Sequence, residues 1–292
     1  MKKIHTYPTD SNSREKEERS RPISNGMNKL DVLLTKAAGL RPLFMAHGIA
    51  GYPNVGDSKK VLKALIEGGA DIVELQIPFS DPLADGPTIM EASHEAIRKG
   101  IHVADVFSLS KQLTTETDVP VVIMSYANPV FRYGIPQFVS DAASSGVSAL
   151  IIPDVPFDSE EGQTLMRETE KQGLYFILVV SPGVSRQRLQ TLQPFAKGFM
   201  YCTTRQGITG ADSHFASDMA AYTKTIREIF SIPVALGFGI KTREDFLAAS
   251  QVADIVIAGS VFVEILKKDG FSAVEVIRTA QSLTGSLGRG IV

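Results

Sequence analysis

The sequence predicts the α/β class, a (β/α)8 TIM barrel with an extra N-terminal helix, and three observations carry that expectation. From Met27 onward, short apolar strand segments and amphipathic helical segments alternate to the end of the chain. The strand segments are mostly continuous apolar runs, such as Val121-Val122-Ile123-Met124 and Ala149-Leu150-Ile151-Ile152, which suit parallel strands covered on both faces. No glycine-rich dinucleotide turn follows the first strand, although an open doubly wound sheet normally carries one there. At 292 residues the chain suits one barrel, a fold that often runs to ~250 residues as a single domain.

The elements follow in order. Residues 1–26 form a separate region: Thr6 to Gly26 holds Ser, Asn, Pro, Arg and Glu with few apolar side chains, so it buries too little surface to offset its ordering entropy. This region is expected to be a disordered tail, with Met27 a candidate true start, and 27–292 a single barrel domain. It has neither the apolar core of a secretory signal nor the acid-poor composition of a transit peptide. Helix zero spans about 28–38, with Leu30, Leu33, Leu34 and Ala37 on one face. Strands are expected near 43–46, 71–77, 120–125, 148–152, 174–180, 197–201, 233–236 and 254–257. Helical spacing separates them, as in Val61-Leu62 with Leu65-Ile66, Phe138-Val139 with Ala142-Ala143, and Ile226 with Ile229. A further helix is expected from about Pro87, since proline favours a first helical turn.

Composition narrows the partners. A net charge of −2, with 43% hydrophobic and 21% charged residues, gives no bulk positive field for nucleic acid or an anionic membrane. No apolar stretch reaches the ~20 residues a spanning helix needs. The one cysteine, Cys202, excludes a disulfide within the chain and reads as a small core residue, which makes the cytoplasm the default compartment. No spacing of His, Cys or acids suggests a metal site.

Barrel chemistry sits at the C-terminal ends of the strands, and three constellations fall there. The first is Glu74 in strand two with Asp85 in the loop after it. Glu74 stands between Val73 and Leu75, and a carboxylate on an apolar strand needs a partner or a chemical role, because burial raises the cost of its charge. Two carboxylates in unlike surroundings can hold different protonation states. Taken alone, both residues are read equally well as structural, with Asp81 and Asp85 as turn or helix-capping residues and Asp81 favoured for that role.

The second constellation is glycine-rich and spread over three loops: Gly207-Ile208-Thr209-Gly210 after strand six, Gly237-Phe238-Gly239 after strand seven, and Gly259-Ser260 opening a helix after strand eight. Glycine lets backbone approach an anion, and a helix N-terminus points N–H groups at it. This fold commonly holds phosphate on the loops after strands seven and eight. The third is a lining of Tyr126, Asn128, Asp154 and Tyr201 at strand ends, suited to a flat apolar ligand with a few polar contacts. Each of these four, taken singly, reads better as a core or capping residue than as a ligand contact. Among the histidines, His47 ends strand one and either lines the site or is a satisfied core residue. His94 and His102 are expected on the surface flanking a helix, and His214 follows the glycine loop.

The run Glu74-Leu75-Gln76-Ile77-Pro78-Phe79-Ser80-Asp81-Pro82-Leu83-Ala84-Asp85-Gly86 closely resembles the signature of the tryptophan synthase alpha chain family. Supporting blocks in matching order are Gly51-Tyr52-Pro53, Tyr126-Ala127-Asn128-Pro129, Pro153-Asp154-Val155-Pro156, and the three glycine loops, so the resemblance covers about residues 28–285. It implies retro-aldol cleavage of indole-3-glycerol phosphate to indole and glyceraldehyde 3-phosphate. It also implies an α2β2 heterotetramer with a beta chain that carries pyridoxal phosphate, and no cofactor on this chain. Carried over, Glu74 matches the acid/base and Asp85 the acceptor for the indole N–H. Gly210, Gly239, Gly259 and Ser260 match phosphate contacts, and Tyr126, Tyr201 and Phe238 match pocket positions. Thr209 matches the mobile loop that closes over substrate.

Two departures from the family pattern stand out. Gln76 occupies a position that is usually glycine, and there it is expected to hydrogen-bond Glu74 or narrow the pocket. His47 replaces an aromatic that borders the indole. These departures motivate an alternative reading: a catalytically weak alpha-like subunit that acts as an allosteric activator of a beta chain. A stand-alone indole-releasing lyase is a lesser variant.

Overall fold

The computed structural model describes residues 27–204, 213–237 and 239–285. Nine parallel strand segments make one sheet: β1 Leu43–Ile49, β2 Ile72–Gln76, β3 Val121–Met124, β4 Ala149–Ile151, β5 Tyr175–Ile177, β6 Val179–Val180, β7 Met200–Thr203, β8 Val234–Gly237 and β9 Ile255–Ala258. Their spatial order is β5-β4-β3-β2-β1-β9-β8-β7-β6. The two ends of that order, β5 and β6, are halves of one strand divided at Leu178, whose carbonyl accepts from the Tyr201 N–H at 3.0 Å. The sheet therefore closes on itself as eight staves, and the single strand expected at 174–180 is present in two pieces.

Alternation sorts the side chains into two apolar layers. Met45, Ile72, Val122, Met124, Ile151, Ile177, Phe199, Ile255 and Ile257 fill the barrel interior, whereas Phe44, Leu75, Ile123, Leu150 and Val256 pack outward with the helices. Cys202 belongs to the outer layer, and burial pushes its thiol up to about 12, in keeping with a core role. Around the barrel run α2 Val55–Glu67, α3 Pro87–Arg98, α4 Val103–Glu116, α5 Ala127–Tyr133, α6 Ile135–Ser144, α7 Glu160–Lys171, α8 Arg186–Leu192, α9 Ser213–Ile229, α10 Arg243–Ser250, α11 Ser260–Asp269 and α12 Ala273–Thr284. Two helices, α3 and α4, follow β2. His94 is exposed within α3 and His102 N-caps α4, rather than both flanking one helix. The ring of helices closes where α2 meets α12: a Cβ on Gly68 would lie 2.5 Å from the Ala280 Cβ, so only glycine permits that approach.

The extra helix, α1 Lys29–Ala37, plugs the N-terminal end of the barrel. Leu30, Leu33 and Ala37 join the interior layer, which continues the apolar column from below. Polar fastenings hold the plug in place. The Asn28 amide donates to the carbonyls of Ser148 and Gly173 at 2.9 and 3.0 Å, and the Tyr175 hydroxyl donates to Asp31 at 2.6 Å. On the same face Asp71 accepts two Arg41 N–H bonds, at 2.8 and 2.6 Å, and the Phe44 backbone N–H at 2.9 Å. The chemistry-bearing residues lie at the other end.

Candidate active site

The C-terminal mouth of the barrel opens into a cavity of about 340 Å³. Its lining includes His47 from β1, Glu74 from β2, Asp85 from the next loop, Tyr201 from β7, Gly237 and Gly239 after β8, and Gly259 and Ser260 after β9. Five stations around the ring thus converge on one space. The cavity exists because two of those stations are glycines. A Cβ on Gly237 would lie 2.5 Å from the Ile257 Cβ, and one on Gly259 would lie 2.9 Å from both Cβ and Cδ2 of His47. Side chains there would fill the layer that elsewhere packs the barrel solid.

At the deep end, β1 and β2 pair in parallel with His47 opposite Glu74. Their side chains meet, His47 Nδ1 lying 3.0 Å from Glu74 Oε2, with Glu74 only 1% exposed. Burial disfavours a charged His47 ring, but the adjoining Glu74 carboxylate, helped by Asp85 and Gln76, outweighs it and raises the histidine's pKa. His47 is therefore both a lining residue and a partly satisfied one: its Nε2 is buried without a hydrogen-bond partner.

Gln76, two residues beyond Glu74 on the same strand face, does not bond Glu74 as the sequence led us to expect. Its Nε2 donates to Asp85 Oδ2 at 2.6 Å and reaches Ser93 Oγ at 3.5 Å, leaving Oε1 buried and unpartnered. Burial raises the Asp85 pKa, opposed by His47, Gln76 and Tyr126, with Glu74 adding to the rise. Of the structural roles expected for Asp81 and Asp85, the turn is present, the Asp85 N–H donating to the Pro82 carbonyl at 3.1 Å, but neither residue caps α3. The cap is Gly86 without a side-chain bond, and the exposed Asp81 accepts from Ser80 instead.

Tyr126 is fully buried behind Asp85 rather than on the cavity wall; its hydroxyl accepts the Ala84 N–H at 3.2 Å and its ring packs on Phe79 at 5.4 Å. Burial, with Glu74 and Asp85 nearby, keeps the Tyr201 phenol protonated far above its ordinary range. Asn128 and Asp154 are exposed at the rim, and Asp154 accepts the Ala127 N–H at 2.9 Å, which caps α5. Thr209, Gly210, Phe238, the side chain of His214 and the tail 1–26 lie outside the described residues.

The opposite end of the cavity is built to receive an anion. Gly239 adopts a left-handed φ of +72°, and α11 begins at Ser260 with no side-chain hydrogen bond capping its first turn. That leaves a helix N-terminus pointing its dipole at the cavity. At the rim, Lys241 Nζ pairs with Glu264 Oε1 at 2.7 Å. Sequence reasoning missed this pair, together with Thr88 and Ile89 on the cavity wall. Lys241 sits two residues past Gly239 and Glu264 one helical turn past Ser260, so proximity to the glycine loops was the available signal. Among the described residues no group of three His, Cys, Asp or Glu is placed to hold a metal ion.

The arrangement suits a ligand with an apolar, proton-exchanging head between the buried Glu74 and half-buried Asp85 carboxylates and an anionic tail at the glycine turns. A sequence profile described as "Tryptophan synthase alpha chain" matches residues 35–289. A tryptophan synthase alpha chain from a Thermoanaerobacter species is 36% identical over 262 residues, 89% of this chain and 98% of that one. Another, from Methanosarcina mazei, is 42% identical over 82% of this chain and 86% of its own length. The crystal structure of tryptophan synthase subunit alpha from Legionella pneumophila covers 90% of this chain and 99% of its own, at 28% identity and a TM-score of 0.81.

Proposed function

This chain belongs to the tryptophan synthase alpha chain family, and from that premise we propose that it cleaves indole-3-glycerol phosphate to indole and glyceraldehyde 3-phosphate. Family membership supports a lyase role in tryptophan biosynthesis; the particular reaction rests on the cavity. One observation carries it: Glu74 and Asp85 share one cavity whose other end is the Gly239 turn and the Gly259-Ser260 helix start.

The retro-aldol reaction needs a proton at indole C3, a base for the hydroxyl on the adjoining side-chain carbon, and relief for positive charge on the ring. Glu74 delivers the proton to C3, which leaves an iminium-like ring. Asp85 accepts the ring N–H and stabilises that charge as it builds. Loss of the hydroxyl proton then forms the aldehyde as the carbon–carbon bond breaks, and the bond's electron pair returns to the ring. Charge is moved and returned with no change of oxidation state that calls for an external oxidant or reductant. Gly239, Gly259 and Ser260 hold the phosphate by backbone N–H groups. Pyridoxal phosphate belongs, in this reading, to a partner beta chain, with no cofactor on this one.

The test is Glu74→Gln, which keeps size and hydrogen bonding but not acidity. Indole release is expected to fall by roughly 10²–10⁴-fold with the circular dichroism spectrum unchanged; near-normal turnover would overturn the assignment. A second reading, a weak enzyme acting as an allosteric activator, draws on one contact: Gln76 occupies an oxygen of Asp85 that the indole N–H would use.

A further inference from the structure

Two buried polar atoms on adjoining strands have no hydrogen-bond partner, Nε2 of the cavity-lining His47 and Oε1 of Gln76. A buried polar atom left unpaired is costly, and at an active site it points to a group that arrives with the ligand. They come from neighbouring strands, and a hydrogen-bonding influence of Gln76 is the smallest of the causes that raise the His47 pKa, so the two side chains are near neighbours. The other nitrogen of the ring is committed to Glu74 at 3.0 Å. The ring is also pinned between two parts of the site. Its Cδ2, the carbon bonded to Nε2, lies against Gly259, since a Cβ there would be 2.9 Å away. A side chain running from the carboxylates to the glycine turns has to pass over this edge of the imidazole.

We propose that His47 is a further catalytic residue, forming with Glu74 a dyad that shares one proton, and that its Nε2 takes the proton from the substrate's side-chain hydroxyl. The step rests on the proposed cleavage and divides its proton transfers between two groups. The dyad starts with one proton more than a carboxylate and a neutral imidazole hold. Glu74 gives that proton to indole C3, leaving its carboxylate beside the neutral ring. The substrate hydroxyl then gives its proton to Nε2 as the carbon–carbon bond breaks and the aldehyde forms. The resulting imidazolium–carboxylate pair equals the starting state, so the dyad is regenerated in one turnover.

The groups around the ring favour a protonated dyad. Glu74 on β2 and Asp85 in the next loop both bring negative charge to it, and the Tyr201 phenol stays neutral. Lys241 and Glu264 share the cavity but pair with each other at its rim. His47 therefore holds its proton above the ordinary imidazole value of about 6.5, and the rate falls as pH rises through that raised value.

The test compares the full-length wild-type chain with His47→Asn and His47→Gln, following indole release across pH. Asparagine can keep a donor near the Nδ1 position, so a purely positioning role would be rescued by it; neither variant can accept and pass on a proton. We expect kcat to fall by roughly 10²-fold in both variants, with KM little changed and the alkaline limb of the profile displaced. Nitrogen NMR of the wild-type ring is expected to show a raised titration that drops in Glu74→Gln. Rescue by asparagine with an unchanged alkaline limb would overturn the dyad while leaving the cleavage intact. No indole release from wild type at any pH would instead remove the reaction itself, and this step with it.

Discussion

Asp85 shows how much a single residue's surroundings matter. Its carboxyl is held by the Gln76 amide at 2.6 Å, while burial works against its charge. The balance raises its pKa, so the folded state binds that proton more tightly than the unfolded chain does. Such a group favours folding on the acid side and loses that contribution as pH rises from about 4 through the folded value. Asp85→Asn removes this slope. Relative to wild type, the variant's unfolding free energy is therefore expected to increase between about pH 4 and neutrality, while indole release collapses. Urea titrations at three pH values, with activity measured beside them, check both halves. A stability difference that stays constant with pH would show that Asp85 is not the titrating group.

Among the elements, α1 has the clearest structural task. A barrel open at its N-terminal end would expose the lowest interior layer to water, and Leu30, Leu33 and Ala37 close it. Leu30 is fully buried, so Leu30→Ala removes apolar contact and leaves a cavity at a cost of about 3 kcal/mol. Guanidinium unfolding is expected to show that loss, with the kcat of the folded protein unchanged because α1 lies at the end opposite Glu74. A large fall in kcat would mean that the two ends are coupled. The Arg41–Asp71 pair reinforces the same face, tying the entry of β1 to the start of β2 with two side-chain bonds and one to backbone. By contrast α11 serves the mouth, where an uncapped first turn leaves N–H groups for an anion.

Across the whole molecule, stability and chemistry are divided between the two faces of the barrel, as this architecture generally arranges them. Among the described residues no helix is long and apolar enough to cross a membrane. The proposed beta-chain partner makes its own claim at this scale. Mixing the chain with a cognate beta chain is expected to raise indole release from indole-3-glycerol phosphate well above the sum of the separate activities. The same mixture also decides between the two functional readings. Stimulation of beta-chain turnover on supplied indole, with no cleavage by the alpha chain, would favour the activator. No effect in either direction would remove the partnership.

The sequence by itself determined the barrel, the order of its strands and the grouping of Glu74, Asp85 and the glycine loops at one end. It did so because continuous apolar runs mark parallel strands and because loops after those strands share a face. Gly239 and Gly259 were legible for the same reason, since their positions follow from strand ends. Only the tertiary structure decided which side chains meet. His47 and Glu74 are 27 residues apart and touch because β1 and β2 pair in one register. Gln76 shares a strand face with Glu74, yet it turns to Asp85, and Tyr126 lies behind that carboxylate instead of facing the cavity. Periodicity is a local property written along the chain. Register and side-chain pairing depend on packing between segments far apart in sequence, so they emerge only when the barrel closes.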